Sequence, residues 1–343
     1  MLIFMDGFDH YAFYDDIWTA SAGGVAPEVV GRGGSKGFFQ DAGGRPRYLA
    51  RSFGTNYSEL IMGVAVQANG AGFQLFGFED SGTVQLLVLG DTGGVVRVYR
   101  GQQVALLGST PGATYAVGAY HYWELHAVFA NGTSGSFTLY RDGENVLTVT
   151  GIDTSQSGNT YANGIFLGDR SANTNYNTYY DDVYVFDTVD SGVTGAPNNA
   201  PLGDVRVETL YANGNGNSSQ LDGSDGNQVD NYLLVDETPY DDDTTYVESA
   251  DAGEKDTYAY GNLATTSGYV YAMQITQRAK KTDVGTRAIC SVTRFSGVEE
   301  DSADKYLATS YVCRQDIREA DSSGNQLTIA SVNGMEVGTK VTT

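Results

Sequence analysis

Basic residues are scarce in this chain of 343: 20 Lys and Arg stand against 42 Asp and Glu, a formal net charge of −22. The excess of acid runs through both parts, 19 against 9 in residues 1–200 and 23 against 11 beyond them. Such a field repels phosphate backbones and anionic lipids, and no Lys or Arg run offsets it locally, so nucleic acid and membrane insertion are excluded as partners. Cysteine is limited to Cys290 and Cys313, 23 residues apart and outside any CxxC or Cys/His cluster. That excludes zinc chemistry and leaves two reduced, buried small hydrophobes, with a disulfide as the alternative. Long apolar runs are missing as well. The longest, VQLLVLG, is strand-sized, and the opening MLIFM lacks the length and basic flank of a signal peptide.

What the chain has in quantity is glycine and tyrosine, 44 and 24 residues, with only 6 prolines and 2 tryptophans. That mixture favours strands joined by tight turns and predicts an all-β protein of two sandwich domains. Residues 1–190 read as about eleven period-2 strands split by glycine turns, among them GFDHYAFY, SELIMGVAVQA, GFQLFGFE, TVQLLVLG, YHYWELHAVFA, GSFTLYRDG, NVLTVTG, NGIFLGD and DDVYVFD. The Asp142–Gly143 pair is a hairpin signal, because both central residues of the favoured two-residue turn take positive φ. Residues 191–203, with two prolines and no apolar periodicity, read as a linker. Residues 204–343 read as a second sandwich: a strand at DVRVETLY, a long exposed Asn/Gly/Ser/Asp loop, then further alternating segments including NQLTIASV. At most a short helix is expected, near 235–239 or 298–305.

Glycosidases need two carboxylates delivered from one strand face, and no Glu-x-Asp-x-Glu pattern occurs; Glu299, Glu300 and Asp301 are consecutive and read as a solvated loop. His121 and His126, five apart in one strand, fall on opposite faces, and with His10 they build no triad or zinc site. No cofactor is expected. Calcium is the alternative, with Asp181, Asp182, Asp222 and Asp225 as candidate ligands, although no complete calcium-loop pattern is present. The plainer reading of Asp181 and Asp182 is structural: they lead the closing strand, accept backbone N–H bonds and discourage edge-to-edge pairing. The loop SANTNYNTYY supplies candidate binding residues Asn173, Asn175, Tyr176, Asn177, Tyr179 and Tyr180, a composition suited to sugars and to protein surfaces alike.

Trp123 in a strand, the Tyr140–Gly143 hairpin, Gly168 before a loop, and Asp181–Asp182 before the last strand occur in an order that resembles the laminin G-like, concanavalin A-like jelly roll over residues 1–190. Together with MDGFDHY and the Gly/Tyr/Asn-rich composition, the chain is similar to virion structural proteins of tailed bacteriophages that carry this domain. The resemblance implies a non-enzymatic component of the virion, assembled in the host cytoplasm: a tail fibre, tip or receptor-recognition protein. It would act as a homo-oligomer in contact with other virion proteins and with host surface glycan. A capsid decoration or head-fibre protein is the first alternative, a polysaccharide-degrading glycoside hydrolase the second.

Overall fold

The structure, a computed structural model, describes residues 1–22, 26–43, 46–171, 176–195 and 198–343. The fold is all-β. Two units share the chain: Met1–Val189 with Asn198–Val207, and Asp190–Pro197 with Glu208–Thr343. The segment expected to be a linker is therefore divided, its first part belonging to the second unit and its later part to the first.

The strands of the first unit are β1 Leu2–Asp6, β2 Ala20–Ala22, β3 Phe38–Gln40, β4 Arg47–Tyr57, β5 Glu59–Ala68, β6 Phe73–Asp80, β7 Thr83–Gly90, β8 Val96–Arg100, β9 Ala105–Ser109, β10 Tyr120–Val128, β11 Gly135–Arg141, β12 Glu144–Ile152, β13 Ala162–Asp169 and β14 Thr178–Asp187. Among the described residues they form two antiparallel sheets, β1-β14-β5-β10-β11-β12 with β3 beside β14, and β2-β4-β13-β6-β7-β8-β9. Alternation sorts their side chains. In the first sheet Phe4, Val185, Met62, Leu125 and Leu139 lie opposite one another in register and are all buried. In the second, Phe78 meets Phe129 edge-on at 5.4 Å, which places Phe76, Phe78, Ile165 and Leu167 on its inner side. Each such fully buried side chain contributes roughly 1.5–3 kcal/mol. The Asp142–Gly143 hairpin is present as expected, with φ of 51° and 82°.

GFDHYAFY is not a strand. Asp6 is buried, and its carboxylate accepts the Phe8 N–H (2.8 Å), the Tyr11 hydroxyl (2.7 Å) and Trp18 Nε1 (2.8 Å). The chain turns at Phe8, φ 62°, to deliver those donors, because a buried carboxylate without them would be costly. The aromatic residues that suggested a strand form a knot instead, with Phe8 stacked on Trp18 at 5.9 Å.

The second unit holds β15 Ala212–Ser219, β16 Asp222–Gly223, β17 Val247–Glu248, β18 Lys255–Tyr260, β19 Met273–Ala279, β20 Ala288–Phe295, β21 Val298–Asp301, β22 Lys305–Tyr306, β23 Val312–Arg318 and β24 Glu336–Val341. The sheet β15-β18-β24-β20-β21, with β22 beside β20, is joined by the ribbons β16-β17 and β19-β23. Met273 and Ile275 of one ribbon pack with Phe295, Leu327, Val332, Met335 and Val337. Several local expectations fail here. DVRVETLY is not a strand, whereas the polar ANGNGNSS stretch is edge strand β15, its backbone paired with β18. A helical turn, Ile329–Asn333, replaces the strand expected at NQLTIASV, and Thr328 caps it by accepting the Ser331 N–H at 3.0 Å. The 298–305 segment is not helical, and Glu299, Glu300 and Asp301 lie on edge strand β21, paired with Lys255, Arg318 and Lys340. Near 235–239 the helical turn comes earlier, as a 3-10 turn at Asn231–Leu234. Cys290 and Cys313 are both free thiols.

Candidate functional site

The paired carboxylates of Asp181 and Asp182 lie inside β14 rather than in front of it. The ladder with β5 is interrupted between Asp181 and Tyr184, and Asp182 takes φ 52°, a bulge that re-aims both side chains. Asp181 Oδ2 accepts the Arg32 N–H (2.8 Å) and the Ser35 hydroxyl (2.7 Å), and its Oδ1 accepts the Asp182 N–H (2.8 Å). Asp182 Oδ1 accepts the Val207 N–H at 2.8 Å, and its Oδ2 lies 3.3 Å from Arg32 Nη1 and 3.5 Å from Arg206 Nη1. Burial pushes both carboxyls up. Asp181 reaches about 8, raised further by the charge on Asp182, while Asp182 rises to about 6 against the pull of Val207 N–H and two guanidiniums. Two carboxyls this close and this buried resist ionising together.

A third carboxylate on the same outward face repeats the pattern. Glu124 Oε1 accepts the Tyr184 hydroxyl together with the N–H groups of Leu202 (2.6 Å) and Gly203 (3.0 Å). Tyr122 donates its hydroxyl to the Asp182 carbonyl at 2.9 Å. Tyr122, Tyr184 and Phe186 form a ring ladder with centroid spacings of 6.3 and 4.7 Å. Gly63 is required beneath it, because a Cβ there would overlap the Tyr184 ring. Residues 198–207 are therefore a strap pinned across the outer face of the first sheet. The acids that pin it are 2 % exposed or less, so they hold structure and do not present themselves to a substrate.

None of this favours calcium. Three of the four oxygens of Asp181 and Asp182 are taken by N–H and hydroxyl donors, and at the fourth, Asp182 Oδ2, a cation would meet Arg32 and Arg206. Asp222 and Asp225 belong to the second unit, where they accept from Gln228 Nε2 (2.9 Å) and Asn227 Nδ2 (2.8 Å). Among the described residues no group of three His, Cys, Asp or Glu side chains is arranged to hold a metal. The histidines stay apart: His121 pairs with Asp142 (2.8 Å), His126 with Glu59 (2.6 Å), and His10 is packed against Tyr11.

The tyrosine-asparagine loop is also largely structural where it is described. Asn173 and Asn175 lie outside the described residues. Tyr180 is fully buried, its hydroxyl directed to Gln40 Oε1 (3.2 Å), which corrects the expectation that it meets a ligand. Tyr179 stacks on Phe39 at 5.0 Å, and Asn177 Oδ1 accepts the Ala42 N–H at 3.0 Å. Tyr176 is 41 % exposed, its ring against Gly70.

A different surface emerges on the outer face of the second sheet. One row of residues in register crosses all seven of its strands: Ala20, Ala50, Phe166, Gly77, Leu87, Tyr99 and Leu106. Ala50, Val84, Leu87 and Phe166 make a compact apolar cluster there, against which Ala20, Tyr48 and Tyr99 pack half-buried, and Leu106 is 54 % exposed. Gly77 lets the Phe166 ring lie down, since a Cβ would stand 2.9 Å from that ring. The Arg170 guanidinium sits over both the Phe166 ring (4.7 Å) and the Tyr48 ring (4.8 Å), and is ion-paired with Glu79. Burial raises the Glu79 carboxyl, with Arg170 pulling the other way. In sequence the row spreads from Ala20 to Phe166, so strand order alone assembles it. The one local signal is NGIFLGD, apolar on both parities, which marks a strand covered on both faces.

An acid-rich β-sandwich with an apolar, aromatic sheet face is the class that fold and surface define. No family model and no curated protein matches this chain. Among solved structures it is similar to an endo-β-1,4-glucuronan lyase from the fungus Trichoderma reesei, at 17% identity, 54% of this chain, 95% of that one and a TM-score of 0.38. It is similar also to domain 4 of an extracellular arabinanase from Geobacillus stearothermophilus, at 15% identity, 54% and 92% coverage and a TM-score of 0.37. A third is a carbohydrate esterase from the Shiga toxin-encoding bacteriophage phi24B, at 18% identity, 48% and 88% coverage and a TM-score of 0.35. The proteins named are a glucuronan lyase, a domain of an arabinanase and a carbohydrate esterase, which runs against the expectation of a non-enzymatic structural role.

Proposed function

We propose that this protein is carbohydrate-active and takes a glycan chain across the outer face of the second sheet of its first unit. The observation that carries the reading is the accessible rim of that row, the half-buried Tyr48 and Tyr99 and the exposed Leu106, seated over the buried Phe166 and Leu87. Adjacent strands are spaced by about 4.8 Å, so the four steps from β4 to β8 separate the two tyrosines by roughly 19 Å, a track and not a pocket. Tyrosine suits such a track because its ring offers an apolar face and its hydroxyl a polar tip.

The test is affinity electrophoresis of the whole chain through gels containing polysaccharide, with release of reducing ends and of unsaturated products followed in parallel. Retardation that Tyr99→Ala removes supports the reading, and release of reducing ends or unsaturated products extends it to catalysis. Mobility unchanged in every polymer, or retardation indifferent to Tyr99→Ala, defeats it.

A further inference from the structure

We propose, resting on that reading, that the glycan held on this face is uncharged. Among the described residues, the two cations on the face are already neutralised within it. Arg170 is ion-paired with Glu79 and donates through Nη1 to the Gly82 carbonyl at 3.0 Å. Arg97, opposite Leu89 in the ladder and so on the same side, is paired with Asp91 at 2.7 Å. The remaining described side chains of the row and its flanks, Ala20, Ala50, Ser52, Val84, Leu87, Tyr99 and Leu106 among them, carry no charge.

A polyuronate laid over this track would set a carboxylate on every sugar against an apolar surface. Each would need a guanidinium or ammonium partner to offset its desolvation, and the two at hand would have to leave Glu79 or Asp91 unpaired to serve. Releasing Glu79 is the worse exchange, because it is 6 % exposed and would be left as a buried, lone charge. At longer range the net charge of −22 repels any polyanion before it docks. A neutral chain meets none of these penalties: its ring faces lie on tyrosine and leucine, and its hydroxyls reach the tyrosine hydroxyls and water.

The experiment compares two neutral polymers, linear arabinan and mixed-linkage β-glucan, with two polyuronates, alginate and polygalacturonate, in affinity gels at low and high sodium chloride. The proteins are the full chain, Tyr99→Ala, and the milder surface variant Leu106→Asp, each checked for cooperative unfolding. Retardation by at least one neutral polymer, insensitive to salt and weakened about tenfold or more by both variants, is the expected result. Retardation by a polyuronate alone, falling with salt and lost in both variants, overturns the inference while leaving the glycan face standing. Retardation by no polymer, or retardation that neither variant changes, overturns the face and the inference together.

Discussion

The hydroxyl of Tyr184 and the carboxylate of Glu124 share one hydrogen bond, and the same Glu124 oxygen accepts the N–H groups of Leu202 and Gly203. One acceptor thus fastens a sheet residue and the strap at once. Glu124→Gln keeps an acceptor but loses the charge that strengthens all three bonds, at a cost of about 1–3 kcal/mol. Both tryptophans, Trp18 and Trp123, lie in the first unit, so their fluorescence in a urea titration reads its unfolding. An earlier midpoint and a new proteolytic cut within residues 198–207 are expected; an unshifted midpoint with the strap still protected would contradict the assignment.

The paired aspartates give the first unit an unusual pH response. A carboxyl whose folded-state value is raised contributes stability that is complete below its unfolded value near 3.8 and is lost as pH rises through the folded value, about 8 for Asp181. Asp182, Asp6, Glu79, Glu124 and Asp169 are raised in the same direction by burial. The tryptophan-monitored melting temperature should therefore fall between pH 5 and pH 8.5. Asp181→Asn should flatten that slope by an amount on the order of 1–3 kcal/mol across the window. A melting temperature that climbs with pH over this range would refute the upward shift of these carboxyls.

Gly77→Ala should separate packing from recognition. Its Cβ would press on the Phe166 ring and on the Leu86 carbonyl, an overpacked position costing roughly 1–3 kcal/mol or more. Tyr99→Ala, at a half-buried margin, should cost less in the same denaturation experiment and more in glycan affinity. Equal stability losses in the two variants would argue that Tyr99 is core and not track.

The cysteines should never bridge. Cys290 is buried and its thiol is pushed up to about 11 by desolvation, with the nearby Asp301 adding to it. Two thiols should titrate with Ellman's reagent in guanidinium without reductant, and Cys290 should resist iodoacetamide at pH 8 in the native protein. A titre of zero would establish a disulfide.

Strand content was legible in the first unit because alternation and glycine turns agree there. The Asp142–Gly143 hairpin and the opposite facing of His121 and His126 follow directly from local geometry. Legibility failed where a buried polar atom overrode the local pattern, as Asp6 does in GFDHYAFY, and where backbone pairing alone makes a strand, as in the polar β15. Asp181 and Asp182 could be read as structural from their neighbours, yet their partners Arg32, Val207 and Arg206 lie far off in sequence. The sheet-face row was out of reach for the same reason, since Ala50, Phe166 and Gly77 become neighbours only once β13 is inserted between β4 and β6.

The interleaved course of the chain decides where it can be divided. Ending a recombinant fragment at residue 190, where composition suggests a boundary, would discard 198–207 and uncover the ladder of Tyr122, Tyr184 and Phe186. Such a fragment would emerge with a raw aromatic flank and self-associate, whereas one carried through Val207 brings its own cover with it.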